Sequence, residues 1–411
     1  MERQDLGKPF PDGKRMSNNN FNVRLYTILS NDKTSGITIP IFCVVFALIA
    51  AVILLLALGK NPLTALLCFL QGSGFFPKSS YAGGQNILSD FLSFLGILAP
   101  MLLASLSVVV ALKAGMFNIG VAGQMLASGF ITMVFVGYSP LSAVIAKPLC
   151  ILVGIIVGAV LGYAVGILKA KFNINEVVST IMFNYIISYV TGFFISNYFA
   201  DNITRSSKIC SAASRLTLTD VNVAGLKLTV PLAMILALVA AFLIQFIFER
   251  TNLGFEIRAV GNNKSGAKYA GMNEKRVLVL TMMISGALAG LAGVSYFMGY
   301  YNTILPKSLP DMGFNAVAVA ILGNLSPIGA VFSSVLITIF QKGAIYMGAK
   351  TNVPQEISQV IIALILLFSA CGIYVRHISK KKLNIIQQES IPQVPQELVA
   401  RNTDKKQVNN G

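Results

Sequence analysis

The chain has 411 residues, of which 55% are hydrophobic and only 12% charged, and its formal net charge is +16. Soluble domains carry roughly 25% charged residues, so a mean hydropathy of +0.71 leaves a soluble globular protein as the class least compatible with this sequence. The positive balance does not point to nucleic acid, because Lys and Arg lie between and beyond the apolar runs, with no basic stripe interleaved with aromatics for bases to stack on.

Residues 1–37 are polar and include Asn18, Asn19 and Asn20, so the first apolar run starts too late for a cleavable signal peptide. This segment reads as a cytoplasmic tail ahead of an uncleaved first helix. A helix needs about 20 apolar residues to cross a bilayer. Candidate runs follow at 38–58, 91–112, 117–137, 142–168, 177–199, 228–248, 277–300, 313–323, 328–346 and 356–375. The expected fold is therefore an all-α polytopic membrane protein of about ten transmembrane helices, with 38–375 as the membrane domain. The run 313–323 would reach only about 16 Å at 1.5 Å per residue, so it either starts earlier, near Ile304, or is a half-helix.

Orientation follows from the basic residues of the connecting segments. With the N-terminus inside, the inner segments hold 22 of the 32 Lys and Arg, including the run Lys380, Lys381 and Lys382. Both termini are expected in the cytoplasm. The last segment, 376–411, is basic and rich in Gln, Asn and Pro, and its composition points to disorder. Two outer loops are long, 59–90 and 200–227. Each fits either a solvated loop or a surface that receives a soluble partner. A faint internal repeat is visible where Gly115-Met-Phe-Asn-Ile-Gly120 and Gly323-Asn-Leu-Ser-Pro-Ile-Gly329 each interrupt an apolar run. Broken helices at paired positions mark transport sites, and two ordinary tight turns would look the same.

Several chemistries are missing. Gly261-Asn-Asn-Lys264-Ser265 lacks the glycine that a phosphate loop places directly before its lysine. The five cysteines form no C-x-x-C pair, and His377 is the only histidine. No metal site, cofactor or catalytic residue is expected. Asp90, Glu176, Asp311 and Glu356 fall at span ends, so the mid-span carboxylate or histidine of an ion-coupled secondary carrier is lacking.

The segment 249–276 is the most informative loop. Asn262 or Asn263 fits the cap of a short helix and Gly271 its end. A helix of about eight residues is unstable alone in water, so docking would hold it. Ser265, Gly266, Ala267 and Ala270 are small enough for close approach, and Tyr269 offers an anchor. A basic loop lying on anionic lipid fits the composition equally well.

The run from Leu98 to Ile345 resembles the permeases of bacterial ABC importers for branched-chain amino acids, simple sugars and nucleosides. Gly115-Met116-Phe117-Asn118-Ile119-Gly120 with Gly123-Gln124 is similar to one family signature. Leu253-Gly254-Phe255, Arg258-Ala259-Val260-Gly261-x-Asn263 and Ala270-Gly271-Met272 resemble the loop before the coupling helix. Asn175-Glu176-Val177-Val178-x-Thr180-Ile181-Met182-x-Asn184-Tyr185 and Leu322-Gly323-x-Leu325-Ser326-Pro327-Ile328-Gly329 are most similar to the nucleoside-type branch. Ala122 stands where that branch often has glutamate, and Asn324 where a basic residue is common.

The resemblance implies a permease that hydrolyses no ATP itself. A separate ATPase would dock at Arg258, Gly261, Asn263, Ala267, Tyr269, Ala270 and Gly271. A periplasmic or lipid-anchored binding protein would deliver ligand, and a second, different permease would complete the pair. The expected substrate is a nucleoside, with a ribose- or galactose-type sugar as the alternative. A neutral ligand calls for amides and aromatic walls along its path, and Asn118, Gln124, Phe183 and Asn184 are the candidates. Amides inside membrane helices also join neighbouring helices, and Phe183 also suits packing. Cysteine labelling in intact cells is expected to mark Lys208→Cys and to spare Lys264→Cys; the opposite pattern overturns the orientation.

Overall fold

The structure is a computed structural model, and it describes residues 27, 35–57, 59–81, 85–223, 226–351, 359–361, 363, 364, 367, 368 and 372–389. The chain divides into two units, Pro40–Ala370 and Met1–Ile39 with Cys371–Gly411. Among the described residues the fold is mainly helical, with one hairpin and irregular connections.

Helix α1 spans Ser35–Ala57. Helix α2, Pro62–Gly72, starts where the Asn61 side chain accepts the Leu63 and Thr64 amides and Pro62 needs no partner. Helix α3, Ile87–Lys113, opens on a capping box between Asn86 and Ser89. Helix α4, Val121–Thr132, runs into a π-helical turn at Met133–Gly137. Helix α5, Ala143–Phe172, stops at Asn173, whose φ of 54° is left-handed. The Lys169–Glu176 ion pair, 2.9 Å, closes the short turn to α6, Glu176–Phe194, which ends in a second π-turn, Ile195–Phe199.

Two antiparallel strands follow, β1 at Thr217–Val223 and β2 at Leu226–Pro231. This hairpin stands where the sequence suggested a polar loop, and α7, Leu232–Arg250, begins after it. Two short helices come next, α8 at Asn252–Asn262 and α9 at Lys264–Tyr269. Helix α10, Glu274–Ser295, continues into a third π-turn, Tyr296–Tyr301. Helix α11 is Asp311–Leu322 and α12 is Pro327–Thr351.

In the second unit, α13 spans Gly372–Glu389. Part of the tail whose composition suggested disorder is thus helical. Residues 1–26 and 390–411 lie outside the described residues, as do Glu356 and Cys371 of the expected last span.

Among the described residues, six helices are long and apolar enough to cross a membrane: α3, α5, α6, α7, α10 and α12. Ten were expected. Of the other four, 38–58, 117–137 and 313–323 correspond to apolar helices that are shorter, Val44–Ala57, α4 with its π-turn and α11, and most of 356–375 lies outside the described residues. At 12 residues, α11 is about 18 Å long and is the half-helix of the two alternatives for 313–323. An irregular segment, 302–310, leads into it, with a turn at 306–307 and left-handed Asn302 and Lys307.

Helix α3 is central. Of its most apolar window 83% is buried, against 28% for α5. Ser107 and Ser285 Oγ lie 3.0 Å apart between α3 and α10, and Ser105 and Ser334 Oγ 3.1 Å apart between α3 and α12. Small hydroxyls of this kind join helices where no water competes. Toward the other end of α3, Lys342 donates to Ser93 Oγ, so α10 and α12 both run antiparallel to α3. Helix α5 packs on α10 through glycines four apart: Gly154, Gly158 and Gly162 lie directly against Gly286 and Gly290. Side chains on the outer faces of α5, α6 and α7, such as Val144, Tyr189 and Phe242, are exposed and suited to lipid.

A Cβ at Gly158 would overlap the Gly286 carbonyl oxygen. Gly158→Leu is therefore expected to destabilise the fold by at least the 1–3 kcal/mol typical of overpacking (about that much), read as a lowered Tm in detergent; an unchanged Tm counters the close α5–α10 packing.

Candidate substrate cavity and coupling loop

Between α3 and α4 the chain leaves helical geometry from Ala114 to Gly120, and Gly115 adopts a φ of 71°. Side chains take over the free main-chain groups. Asn118 Oδ1 accepts the Gly120 amide at 3.0 Å. Its Nδ2 donates to Gln124 Oε1 at 3.0 Å and to Ser285 Oγ at 2.9 Å. Asn184 of α6 accepts the Gly123 amide at 2.8 Å and donates to the Ile119 carbonyl at 3.0 Å. Asn118, Gln124 and Asn184 are all buried, and Phe183 is half-buried against the core. The structure thus brings three of the four expected pathway residues together, turned toward protein rather than toward open space.

The open space lies elsewhere. A cavity of about 540 Å³ is bounded by α3, α10, α11 and α12, with Gln359 and Ala363 from the segment after them. None of Asn118, Gln124, Phe183 and Asn184 lines it. One wall is aromatic: Tyr296, Tyr300 and Tyr301 all come from the π-turn that ends α10. In a regular α-helix residues five apart diverge, whereas an i→i+5 turn brings them over one another. The Tyr296 and Tyr301 rings accordingly sit 4.8 Å apart, and those of Tyr300 and Tyr301 4.9 Å apart, edge to face. Lys342 Nζ stands 5.8 Å from the Tyr300 ring centroid.

The remaining polar lining comes from Asp311 and Asn315 at the start of α11, from Gln341 of α12 and from Gln359. Asp311 was expected at a span end, and it is one, but the span is a half-helix. Its first turn therefore shares the cavity with Ile97, ten residues or about 15 Å along α3. Sequence reading missed this set. Three tyrosines closing a span read as an interfacial belt, and nothing local marks Asn315 or Gln341.

At the far end of α3 lies the loop singled out in the sequence. Gly261 of α8 packs so closely on the Lys113 carbonyl that no Cβ fits, which ties this loop to the chain just before the break. Asn263 caps α9 by accepting the Gly266 amide at 3.0 Å, and Gly271 follows with a φ of 83°. Ala267 is buried against its own protein, whereas Ser265, Gly266, Lys268, Ala270 and above all Tyr269, 94% exposed, face outward. Arg258 is also exposed and donates to the Gly254 carbonyl at 3.3 Å.

The loop 200–216 covers the opposite end, where Ser207 donates its amide to the Ile304 carbonyl at 2.9 Å and Leu216 to that of Met298 at 3.0 Å. Within it, hydrogen bonds from the Thr204 hydroxyl and main chain hold the Asp201 carboxyl below its usual range.

Asn118→Leu would strand the Gly120 amide and Gln124 Oε1, while Ser285 keeps its bond to the Ser107 carbonyl. With about 1–3 kcal/mol lost for each buried group left unpaired, a clear fall in Tm is expected, and an unchanged Tm would remove Asn118 from the junction.

Comparison with known proteins places these features in a family. Residues 91–370 match the model of the branched-chain amino acid transport system / permease component family. The nucleoside ABC transporter permease protein NupB of Lactococcus lactis subsp. cremoris (strain MG1363) is 36% identical over 83% of this chain and 92% of its own. The guanosine ABC transporter permease protein NupP of Bacillus subtilis (strain 168) is 32% identical over 85% of this chain and 97% of its own. The nucleoside ABC transporter permease protein NupC of the same Lactococcus strain is 23% identical over 61% of this chain and 80% of its own. No solved structure matches. A helical, multi-pass membrane chain with a cavity among broken helices, matched across most of its length, belongs to the branched-chain amino acid transport system / permease component family and is a permease subunit, not an enzyme.

Proposed function

We propose that this chain carries nucleosides across the cytoplasmic membrane as one membrane subunit of an ATP-driven importer. The observation that carries this reading is the likeness, over most of both chains, to permeases named for nucleosides and guanosine. The cavity chemistry agrees with it. Three stacked or edge-packed tyrosines suit a flat base, and Asn315, Gln341 and Gln359 can each donate and accept toward neutral polar groups. The ribose or galactose alternative is the weaker one, since neither of those two relatives is named for a sugar.

The charge bias supports an orientation with α8 and α9 in the cytoplasm and the loop 200–216 outside. The non-helical segment 302–310 and α11 together then make one crossing, which restores a count of about ten with both termini inside. ATP hydrolysis takes place on a separate subunit that docks on the exposed face of α9, with Tyr269 as its anchor and Asn263 and Gly271 fixing the ends of the helix. Gly261 and Ala267 hold that element in place, and Arg258 and Ala270 share its exposed side. Close packing of Gly261 on Lys113 carries its movement into the break that Asn118, Gln124 and Asn184 fasten. Those amides shape the path, and Phe183 backs them. A periplasmic or lipid-anchored binding protein delivers the nucleoside at the opposite end. Two Lactococcus permeases, NupB and NupC, are both similar to this chain, which supports a second, related permease as its partner.

The test is uptake of a radiolabelled nucleoside into proteoliposomes holding the complete complex. Uptake is expected to require ATP and the binding protein, and a complex that carries no nucleoside overturns the reading. Tyr269→Ala is expected to reduce both co-purification of the ATPase and uptake by tenfold or more, roughly the loss that about 1.4 kcal/mol of docking free energy gives, with Tm unchanged. Normal uptake by this variant would move the docking site off α9.

A further inference from the structure

The cavity has two unlike sides. The α10 side is aromatic, with Tyr296, Tyr300 and Tyr301. The α11 side is polar, with Asp311 and Asn315 one turn apart. Residues four apart on a helix stand one above the other on the same face. Asp311 is the first residue of α11, after Pro310, which provides no side-chain cap. An ionised carboxylate only accepts hydrogen bonds, through two oxygens side by side, whereas the Asn315 amide both donates and accepts. Asp311 is also the one charged group among the described residues that line the cavity. No described lining cation is available to neutralise a phosphate.

We infer that Asp311, seconded by Asn315, reads the vicinal 2′,3′-hydroxyl pair of an unphosphorylated ribonucleoside whose base lies against the tyrosines. This assignment rests on the proposed import of nucleosides and specifies which of them the membrane path accepts. The match is one of complementary groups. Two adjacent hydroxyls present two donors, and a carboxylate is the side chain that takes both at once. Their lone pairs remain free for the Asn315 amide. A base needs a flat apolar wall and few fixed charges, which the π-turn supplies. A nucleotide would bring its phosphate into a cavity whose one fixed charge has the same sign. An isolated pentose would leave the tyrosine wall uncovered.

The experiment compares a ribonucleoside with its 2′,3′-dideoxy analogue in the reconstituted complex of both permeases, ATPase and binding protein. Uptake is measured for wild type, Asp311→Ala and Asp311→Asn. Because the binding protein is the same throughout, any change in the ratio of the two ligands belongs to the permease. Loss of a hydrogen bond to a charged group costs about 1.5–3 kcal/mol, that is, tenfold or more. Asp311→Ala is therefore expected to lower ribonucleoside uptake about tenfold while leaving the dideoxy analogue unchanged, and Asp311→Asn to fall between. Should Asp311→Ala not assemble, Asp311→Asn is judged by the same ratio. A ratio that stays at the wild-type value in the variants overturns the assignment and leaves nucleoside import standing. A wild-type complex that carries neither ligand overturns both.

Discussion

Non-helical main chain deep in an apolar bundle has no water to bond to, so each freed amide and carbonyl must find a partner within the protein. The break at Ala114–Gly120 meets that demand with Asn118 and Asn184, and Gln124 and Ser285 in turn hold Asn118. Much of the structure depends on this fastening. It joins α3, α4, α6 and α10 at one point, and it fixes where α4 starts and hence how α4 lies beside α10. The contact of Gly261 with Lys113 then sets the coupling loop against the same point from outside the bundle.

Close backbone approach is the second constraint. Gly154, Gly158 and Gly162 let α5 lie almost main chain to main chain with α10, and Gly72 and Gly343 do the same for α2 and α12. With so little side-chain volume between them, these pairs move as units. Helix α10 thereby connects two working parts of the molecule. Near its middle Ser285 holds the break, and at its C-terminal end the π-turn supplies the tyrosine wall. The half-helix α11 is placed differently. Its hairpin with α12, where Ser333 Oγ donates to the Val319 carbonyl at 2.8 Å, leaves its first turn facing the cavity.

Much of the fold was legible in the sequence because lipid imposes a simple rule. Long apolar runs gave the six long spans, and the short run 313–323 already stood out as too short to cross. The cap and end of α9 were legible from Asn263 and Gly271, since local backbone chemistry decides both. The amides Asn118, Gln124 and Asn184 were marked as candidates for the path, but their direction was not legible: an amide that fastens two helices and one that faces a ligand have the same local sequence. The hairpin at 217–231 was missed for a related reason. Leu218, Val221, Val223, Leu226, Leu228 and Val230 are interspersed with polar residues, too short a pattern to stand out among the long apolar runs, and the pairing is made between strands, not within either of them.

The sequence by itself determined the membrane class, the helical spans, the charge asymmetry and the family-like loops. Each of these follows from properties of consecutive residues: hydropathy over about 20 positions, a cap three residues from its amide, a glycine at a left-handed turn. Only the tertiary structure decided which residues share the cavity. Tyr296 and Tyr301 face one another because a π-turn replaces the regular helical period. Asp311 joins them because the irregular segment 302–310 returns the chain beside the π-turn before α11 starts. Gln341 joins them because α12 folds back on α11. Those positions are set by packing between elements far apart in the chain, and that information is not carried by any local stretch of it.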